Sequence, residues 1–338
     1  MATGNPQRGA VVVHRGDHGI DVRFELLPSG ELDRDSVRVR PEFVGICGSD
    51  LEQIFGSMDS SFGVRFPHIL GHEWSGTVIA AGDGVSTFRT GDRVIGHGSL
   101  GGNTWFGVST DGAMADTFDV PAAMCFAVPE PVSAQRAALI EPLACCLQAL
   151  RVAGGADAGH KAAVFGCGAI GSAMVALLHG LGTEVVAIDR SEPRLALAAK
   201  LGADHTVTAG EGSAERIRDT LGAGADLVIE ASGSPVAQAD AIEVTADGAR
   251  VLFMGLAHQS AQSVPLYQIQ ARGLRLFSST GAPPSVWQPT LRLVARTGID
   301  LTPIVSHVFD FAECRAALEA ARDSASSAKI MLRPGPAA

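Results

Sequence analysis

The sequence predicts an α/β protein of two domains, one with a doubly wound parallel sheet and one built of antiparallel β-structure. From about Lys161 onward, short buried strands alternate with helical segments, whereas residues 1–130 contain alternating apolar runs broken by turn sequences. The chain has 338 residues, which is more than one hydrophobic core usually serves. Each domain is therefore expected to bury a core of its own.

Six short apolar runs predict the strands of the parallel sheet. Helical segments such as PRLALAAKLG and AERIRDTLG fill the first gaps between them. Strands that alternate with helices run parallel in a doubly wound sheet. The six runs are KAAVF, EVVAI, HTVTA, ADLVIEA, GARVLFM and LRLFSS.

The remaining segments complete the fold. In the N-terminal region, runs such as SVRVRPEFV and SGTVIAAG are separated by the turn sequences AGDGV and TGDRV. The helical stretch SAQRAALIEPLACCLQALRVAGG connects the two regions, and we expect Pro142 to kink it or split it in two. After Thr280, FDFAECRAALEAARDS predicts an amphipathic helix and AKIMLRP a closing strand.

Composition and charge narrow the class of ligand. A chain with 46% apolar and 18% charged residues is typical of a globular enzyme, and a net charge of −10 without Lys/Arg-rich runs disfavours nucleic acid and anionic membranes as partners. The apolar stretch 162–178 contains glycines and stops at His179, so it is a poor membrane span. The N-terminal apolar run is too short for a signal peptide. We expect a cytoplasmic protein with reduced cysteines and a small-molecule ligand.

A GxGxxG pattern lies directly after the first predicted strand of the parallel sheet and opens a predicted helix. Gly166 permits the tight turn, Gly168 lets the backbone approach a pyrophosphate, and Gly171 allows the helix to pack closely on the strand. The helix N-terminus attracts the anion. The pattern predicts a dinucleotide site, to which Ile170 also belongs, and a bulky residue at position 168 should block binding.

Asp189 ends the second predicted strand, eighteen residues after Gly171. Its carboxylate can accept hydrogen bonds from the adenosine ribose and repels a 2′-phosphate, so NAD is favoured over NADP. Arg190 adjoins Asp189 and could hold a phosphate, which leaves NADP as the alternative. Arg194 could also reach the ribose.

Side chains of metal-ligating type occur in three short segments: Cys47 in VGICGSD, His72 and Glu73 in ILGHEWSG, and Glu141 in ALIEPL. Thiolate, imidazole and carboxylate are the ligands that zinc accepts at an open, tetrahedral, catalytic site. Each residue taken alone more often has a structural role. A charge in apolar surroundings needs a partner, but the spacing does not show that these side chains converge.

These motifs resemble those of a known family. GICGSD, GHEWSGTV, GDRV, IEPL and GCGAIG, in this order, are similar to those of the zinc-dependent medium-chain dehydrogenases, specifically the sorbitol dehydrogenase-like polyol branch, and the likeness spans nearly the whole chain. It implies a GroES-like β-barrel catalytic domain formed by residues 1–149 and 281–338. A Rossmann domain with a six-stranded parallel sheet, residues 150–280, is inserted between them. The resemblance also implies a homodimer or homotetramer.

The resemblance further implies one catalytic zinc ion. Cys47, His72 and Glu73 would hold it, with water or a substrate oxygen completing the coordination shell. Glu141 would lie beside that water and can exchange with it as a ligand.

Two neighbours of the zinc cysteine complete the implied site. Ser49 would bind a substrate hydroxyl and accept its proton, and Asp50 would orient the imidazole of His72. The implied reaction transfers hydride between the secondary alcohol of a polyol- or sugar-like substrate, oxidised to a ketone, and NAD.

Other functions stay open on the same scaffold. The substrate could belong to another alcohol class, such as an aminocyclitol, a sugar hemiacetal or an amino-acid alcohol. A zinc-free, NADP-dependent reductase of double bonds and a non-catalytic NAD-binding protein are further alternatives.

The sequence departs from the family pattern at several points. Residues 95–112 form a short segment without cysteine, where many relatives carry four cysteines for a structural zinc, so we expect none here. Glu52 occupies the position of a histidine that often carries the proton to solvent. Gln148 and the segment SSTG replace residues that polyol relatives use near the substrate. Substrate preference therefore does not follow from the resemblance.

Overall fold

A computed structural model describes residues 7–17, 19–55, 58, 63–102, 104–256, 264–323 and 327–335. The start of the N-terminal segment, residues 1–6, lies outside these ranges. By contacts, the described residues form two compact units. The first comprises Met1–Glu141, Pro283–Leu291 and Val305–Ala338, and the second comprises Pro142–Ala282 and Arg292–Ile304. Residues 142–149, 281–282 and 292–304 thus group with the second unit. The domain ranges given in the sequence analysis stay a prediction.

The elements of the described residues follow in chain order. The strands are β1 (Gln7–Gly16), β2 (Gly19–Pro28), β3 (Ser36–Gly45), β4 (His68–Ile69), β5 (Glu73–Ala81), β6 (Arg93–Gly96), β7 (Phe118–Pro121), β8 (Cys125–Ala127), β9 (Lys161–Phe165), β10 (Glu184–Asp189), β11 (His205–Thr208), β12 (Ala225–Glu230), β13 (Thr245–Phe253), β14 (Arg275–Ser278), β15 (Val305–Asp310) and β16 (Lys329–Arg333). The helices are α1 (Gly48–Phe55), α2 (Ala134–Ala138), α3 (Ile140–Val152), α4 (Ala169–Gly180), α5 (Glu192–Lys200), α6 (Ser213–Leu221), α7 (Pro235–Glu243), α8 (Leu266–Ala271), α9 (Pro284–Thr297) and α10 (Cys314–Arg322).

The first unit is mainly antiparallel, as the sequence predicts. One sheet has the order β2-β1-β4, and a larger one has the order β15-β16-β3-β5-β6-β8 with β7 paired to β3. Only β15 and β16 pair in parallel among the described strands of these sheets. The two sheets share a core in which Trp74 packs edge-on against Phe118, with ring centroids 4.8 Å apart.

The second unit contains the predicted six-stranded parallel sheet, which is confirmed for the described residues. Its order is β11-β10-β9-β12-β13-β14, and every pair is parallel. The central strands are apolar and buried almost throughout because helices cover both faces of such a sheet. The strand order reverses between β9 and β12, which is the point where α/β sheets bind ligands at their carboxyl ends.

The connecting helix breaks, but not at Pro142. Helix α2 ends at Ala138 and α3 begins at Ile140, with Leu139 between them. Pro142 lies in the first turn of α3, where its missing N–H costs no helical hydrogen bond. The predicted split is therefore present three residues earlier than the proline itself.

The C-terminal region differs from the prediction in two respects. Helix α9 and strand β15 were not expected, and α9 accommodates Pro289 within it. The predicted amphipathic helix begins only at Cys314, because the preceding residues finish β15 and then form a short 3₁₀ turn. Asp310 and Glu313 form a capping box around that turn. No helix of the described residues is long and apolar enough to cross a membrane.

Candidate metal and dinucleotide sites

The predicted zinc ligands come together where two antiparallel strands begin and end. Gly45, the last residue of β3, pairs with Glu73, the first residue of β5, so the chain leaving one strand lies beside the chain entering the other. The ligand atoms of Cys47, His72 and Glu73 all lie within 4.8 Å of one another. The strand register thus joins residues that are about 25 positions apart in sequence.

Asp50 contacts two of the three clustered residues, Cys47 and His72. Its side chain is fully buried, and one carboxylate oxygen accepts a hydrogen bond from the N–H of Cys47 at 2.8 Å. The other oxygen, Oδ1, lies 3.6 Å from His72 Nδ1, and neither atom has a hydrogen-bond partner among the described residues. This arrangement leaves His72 Nε2 as the nitrogen available to a metal.

Neighbouring groups shift the pKa of His72. Burial lowers the pKa of His72, but Asp50 and Cys47 raise it more, so that the net pKa is well above its usual value. Burial also raises the pKa of Asp50. A metal ion bound to the imidazole would compete with a proton for the same nitrogen.

Ser49 places a hydroxyl at the same nitrogen. It lies in the first turn of α1, and its Oγ is 3.3 Å from His72 Nε2. A substrate oxygen bound at this position would be within reach of a side-chain hydroxyl.

Glu141 lies near the cluster but outside the group of three. It belongs to the first turn of α3, and its charge raises the pKa of both His72 and Lys329. The structure does not place its carboxylate among the mutually close ligand atoms.

Lys329 is the residue that sequence reasoning missed. It begins β16, and its Nζ donates to both carboxylate oxygens of Glu73, at 2.8 and 2.7 Å, and to the carbonyl of Ile46 at 2.9 Å. The lysine and glutamate side chains are 3% and 2% exposed. A lysine at the head of the apolar run KIMLR was the available signal, since a buried charge needs a partner.

The donor set fits zinc. One sulfur, one imidazole nitrogen and one carboxylate oxygen from three residues match a catalytic site, in which a fourth position stays open. No second group of three such side chains comes together in the part of the chain that the structure describes. The six cysteines, all of them described, form no disulfide bonds.

The glycine-rich turn between β9 and α4 has the shape that a dinucleotide needs. Gly166 has φ +86°, and a Cβ there would come within 2.8 Å of Ser232. A Cβ on Gly171 would lie 1.7 Å from the carbonyl oxygen of Gly166, so only glycine allows the helix to pack this closely. At Gly168, by contrast, the nearest atom to such a Cβ is Arg194 Nη1 at 3.9 Å, which leaves space in front of the helix N-terminus.

Asp189 is tied to this turn. Its Oδ2 accepts a hydrogen bond from the N–H of Cys167 at 2.7 Å, and its Oδ1 accepts one from the N–H of Ser191 at 2.9 Å. Arg194 Nη1 lies 4.0 Å from Oδ2. The structure therefore brings Asp189 and Arg194 to the glycine turn. Their side chains are 7% and 19% exposed, respectively.

Two further predicted residues flank the turn. Arg190 is exposed just beyond β10. Ile170 lies in the first turn of α4, half-buried, and its carbonyl oxygen accepts a hydrogen bond from the thiol of Cys146 at 3.5 Å. The structure gives neither side chain a contact that decides its part in cofactor binding.

Comparison with known proteins agrees with this architecture. Residues 33–130 match the family model described as alcohol dehydrogenase GroES-like domain, and residues 169–296 match the one described as zinc-binding dehydrogenase. The predicted combination of a GroES-like domain and a Rossmann domain is thereby confirmed.

Individual relatives cover nearly the full chain. Sorbitol dehydrogenase of Gallus gallus is 30% identical over 362 residues, which span 99% of this chain and 98% of that protein. L-threonine 3-dehydrogenase of Bacillus subtilis (strain 168) is 30% identical over 328 residues, 91% of this chain and 94% of that one. The crystal structure of 2R,3R-butanediol dehydrogenase from Bacillus subtilis superposes with a TM-score of 0.87 at 25% identity, covering 97% of this chain and 100% of that structure. The chain belongs to the zinc-dependent medium-chain dehydrogenases, in their sorbitol dehydrogenase-like branch.

Proposed function

We propose that this member of the alcohol dehydrogenase family uses one zinc ion and NAD to oxidise the secondary alcohol of a polyol- or sugar-like substrate. The observation that carries the proposal is the convergence of Cys47, His72 and Glu73, with the hydroxyl of Ser49 3.3 Å from the imidazole. A thiolate, an imidazole and a carboxylate around one point, with a hydroxyl beside them, are the parts that alcohol oxidation requires.

Cys47, His72 and Glu73 would hold the zinc ion, which when bound supplies a Lewis acid that lowers the pKa of an alcohol oxygen. Asp50 orients two of these residues: one of its carboxylate oxygens accepts a hydrogen bond from the N–H of Cys47, and the other lies 3.6 Å from His72 Nδ1. Because Asp50 is buried, water does not compete for either interaction.

Ser49 would receive the proton of the substrate hydroxyl. Its Oγ lies 3.3 Å from His72 Nε2, so a substrate oxygen held beside that nitrogen would be within hydrogen-bond distance of the hydroxyl. Glu52, which follows one turn later on α1, replaces the histidine that relatives often use, so the proton would leave by a different route.

The glycine turn and Asp189 would bind NAD, which accepts the hydride. Gly168 leaves room for the pyrophosphate at the N-terminus of α4, and the Asp189 carboxylate would accept hydrogen bonds from the ribose. The negative charge of Asp189 supports NAD over NADP, while Arg190 and Arg194 are the residues that would favour a 2′-phosphate.

The names of the relatives support one chemical class of substrate. Sorbitol, 2,3-butanediol and L-threonine each contain a secondary alcohol with a hydroxyl or amino group on the neighbouring carbon. We therefore propose a small vicinal polyol as the first candidate substrate. An amino-acid alcohol is the second candidate, because the threonine dehydrogenase is as similar to this chain as the sorbitol dehydrogenase.

The test is NADH formation with a panel of polyols, sugars, cyclitols and amino alcohols, with NADP run in parallel. We expect turnover with one class, loss of turnover after zinc chelation, and recovery when zinc is added back. A second assay with NADPH and α,β-unsaturated ketones tests the zinc-free alternative, and NADPH consumption that is insensitive to the chelator would favour a reductase of double bonds. Tight binding of NAD and zinc without turnover on any substrate would favour a non-catalytic role.

A further inference from the structure

Glu73 is bound on two sides within the first unit. Its carboxylate faces the ligand atoms of Cys47 and His72, yet both of its oxygens also accept hydrogen bonds from Lys329 Nζ. The backbone makes room for this pair: a Cβ on Gly45 would lie 2.3 Å from Glu73 Oε2. The carboxylate can therefore lie over Gly45 and reach the lysine only because position 45 has no side chain.

Lys329 is fixed in position by strand pairing and by the hydrogen bonds of its Nζ. The pairing of β16 with β3 brings the lysine beside Ile46, whose carbonyl accepts a third hydrogen bond from Nζ. Its ammonium group is buried and lies within hydrogen-bond distance of both carboxylate oxygens of Glu73. A positive charge is thus built into the cluster next to the position proposed for the metal.

We infer that Lys329 is the internal counter-ion of the ligand cluster and that it competes with the metal for the Glu73 carboxylate. The inference rests on the zinc site proposed above. Without a metal, the ammonium neutralises Glu73 and keeps the ligand cluster assembled. With a metal bound, the same ammonium repels the ion, and its hydrogen bonds to Glu73 make the carboxylate a weaker ligand. Zinc therefore binds less tightly than it would to the three ligands without the lysine.

The direction in which zinc affinity changes when the lysine charge is removed distinguishes competition from a purely structural role. Removal of the positive charge leaves Glu73 buried without a partner in the metal-free protein, which destabilises that form most. Zinc then gains more when it binds, because it supplies the missing charge. A lysine that only props the strand in place would have the opposite effect, since its loss would disorder the ligands and weaken zinc binding.

The experiment measures zinc affinity of the full chain by competition with a chromophoric chelator, together with the melting temperature before and after zinc removal. We expect K329M and K329Q to bind zinc on the order of tenfold tighter than the wild type, a typical coupling between two sites. In both, the metal-free form should melt earlier and gain more from added zinc. K329R, which keeps the charge, should stay within about threefold of the wild type.

Two controls accompany these variants. Lys200→Met removes an exposed lysine of the second unit and should leave zinc affinity unchanged. In a Glu73→Gln background, K329M should tighten zinc binding less than it does in the wild-type background, because the competition for the carboxylate is gone and only the repulsion between the ammonium and the ion remains. K329Q retains a hydrogen-bond donor for Ile46 and serves as the deciding variant if K329M does not fold.

The outcomes separate this inference from the proposed function. A wild-type protein that binds no zinc would contradict the proposed function itself. Zinc binding by the wild type, with equal or weaker affinity in K329Q, would overturn only the competition and leave the zinc site in place.

Discussion

The glycine turn and the ligand cluster reach their shapes by different means. The turn arises within one βαβ segment, where β9, α4 and β10 follow one another and glycines set the backbone. The cluster joins side chains from the end of β3, the start of β5 and the start of β16, which are distant in sequence. The first depends on backbone shape, whereas the second depends on long-range strand pairing and on a balance of buried charges.

The treatment of carboxylates shows the same difference. Asp189 in the turn is satisfied by two backbone N–H groups of its own neighbourhood. Glu73 in the cluster is satisfied by a lysine that lies 256 positions away in the chain. Substitutions in the turn should therefore act through steric conflict with the cofactor or the backbone. Substitutions in the cluster should act through the loss of charge or of metal binding.

The largest expected effect is the loss of a zinc ligand. Cys47→Ser and His72→Ala should lose zinc and lower kcat/KM by at least about a thousandfold, because a Lewis acid supplies several kcal/mol of transition-state stabilisation. NAD affinity should stay at the wild-type level, since the turn is built independently. Cys125→Ser, a buried cysteine of the same unit outside the cluster, is the matched control and should keep its zinc. Metal analysis and steady-state kinetics check this prediction, and normal turnover in either ligand variant would refute the zinc assignment.

Removal of the proton acceptor should have the next largest effect. Ser49→Ala should lower kcat by about a hundredfold, which is the usual contribution of a positioned acid–base group. Zinc content should not change, because Cys47, His72 and Glu73 remain as the three proposed ligands. Ser75→Ala, which also removes a hydroxyl from the first unit, should retain activity. A Ser49→Ala enzyme with unchanged kcat would exclude this hydroxyl from the proton path.

Filling the space at the helix N-terminus should weaken cofactor binding without harming the fold. Gly168→Val should raise the Kd for NAD about thirtyfold, equivalent to roughly 2 kcal/mol of steric conflict with the pyrophosphate. Its melting temperature should remain close to that of the wild type because the position is open. Gly171→Val, by contrast, should lower the melting temperature, since its side chain would meet the Gly166 carbonyl. Calorimetric titration with NAD and thermal unfolding measure both; equal NAD affinity in Gly168→Val would contradict the proposed pyrophosphate position.

The smallest effect is expected at Asp189. Asp189→Asn keeps the side-chain shape but removes the charge, so NAD affinity should fall about fivefold, the value of one net hydrogen bond of roughly 1 kcal/mol. The ratio of NADP to NAD affinity should rise because the repulsion of a 2′-phosphate is lost. Asp226→Asn, whose carboxylate accepts a backbone hydrogen bond elsewhere in the same unit, is the control. An unchanged coenzyme ratio would show that Asp189 does not select the coenzyme.

The sequence predicts the second unit better than the first. The inner strands β9, β10 and β12 are short, buried and mostly apolar, whereas the edge strands β11 and β14 are mostly exposed rather than buried as predicted. The alternation with helices still identifies all six strands, and the glycine pattern directly follows β9. Helix α9 was missed because prolines at its start and within it are typical of loops. The end of β15 was assigned to a helix because its last residues, FD, continue into an amphipathic pattern.

At the ligand cluster, the sequence identified the candidate ligands but not the charged partner of Glu73. Cys47, His72 and Glu73 were singled out by residue type and by family resemblance, and the structure places their ligand atoms together. The pairing of Lys329 with Glu73 was not foreseen, since it depends on the register between β16 and β3 and on the missing side chain of Gly45. Single-residue patterns carry no information about such a register.

The most direct test of the central claim is zinc content combined with X-ray absorption at the zinc edge on the purified protein. We expect one zinc ion per chain, bound by one sulfur and otherwise by nitrogen and oxygen, and no bound zinc in Cys47→Ser. A second tightly bound zinc ion per chain, or a zinc ion without a sulfur ligand in the wild type, would contradict it.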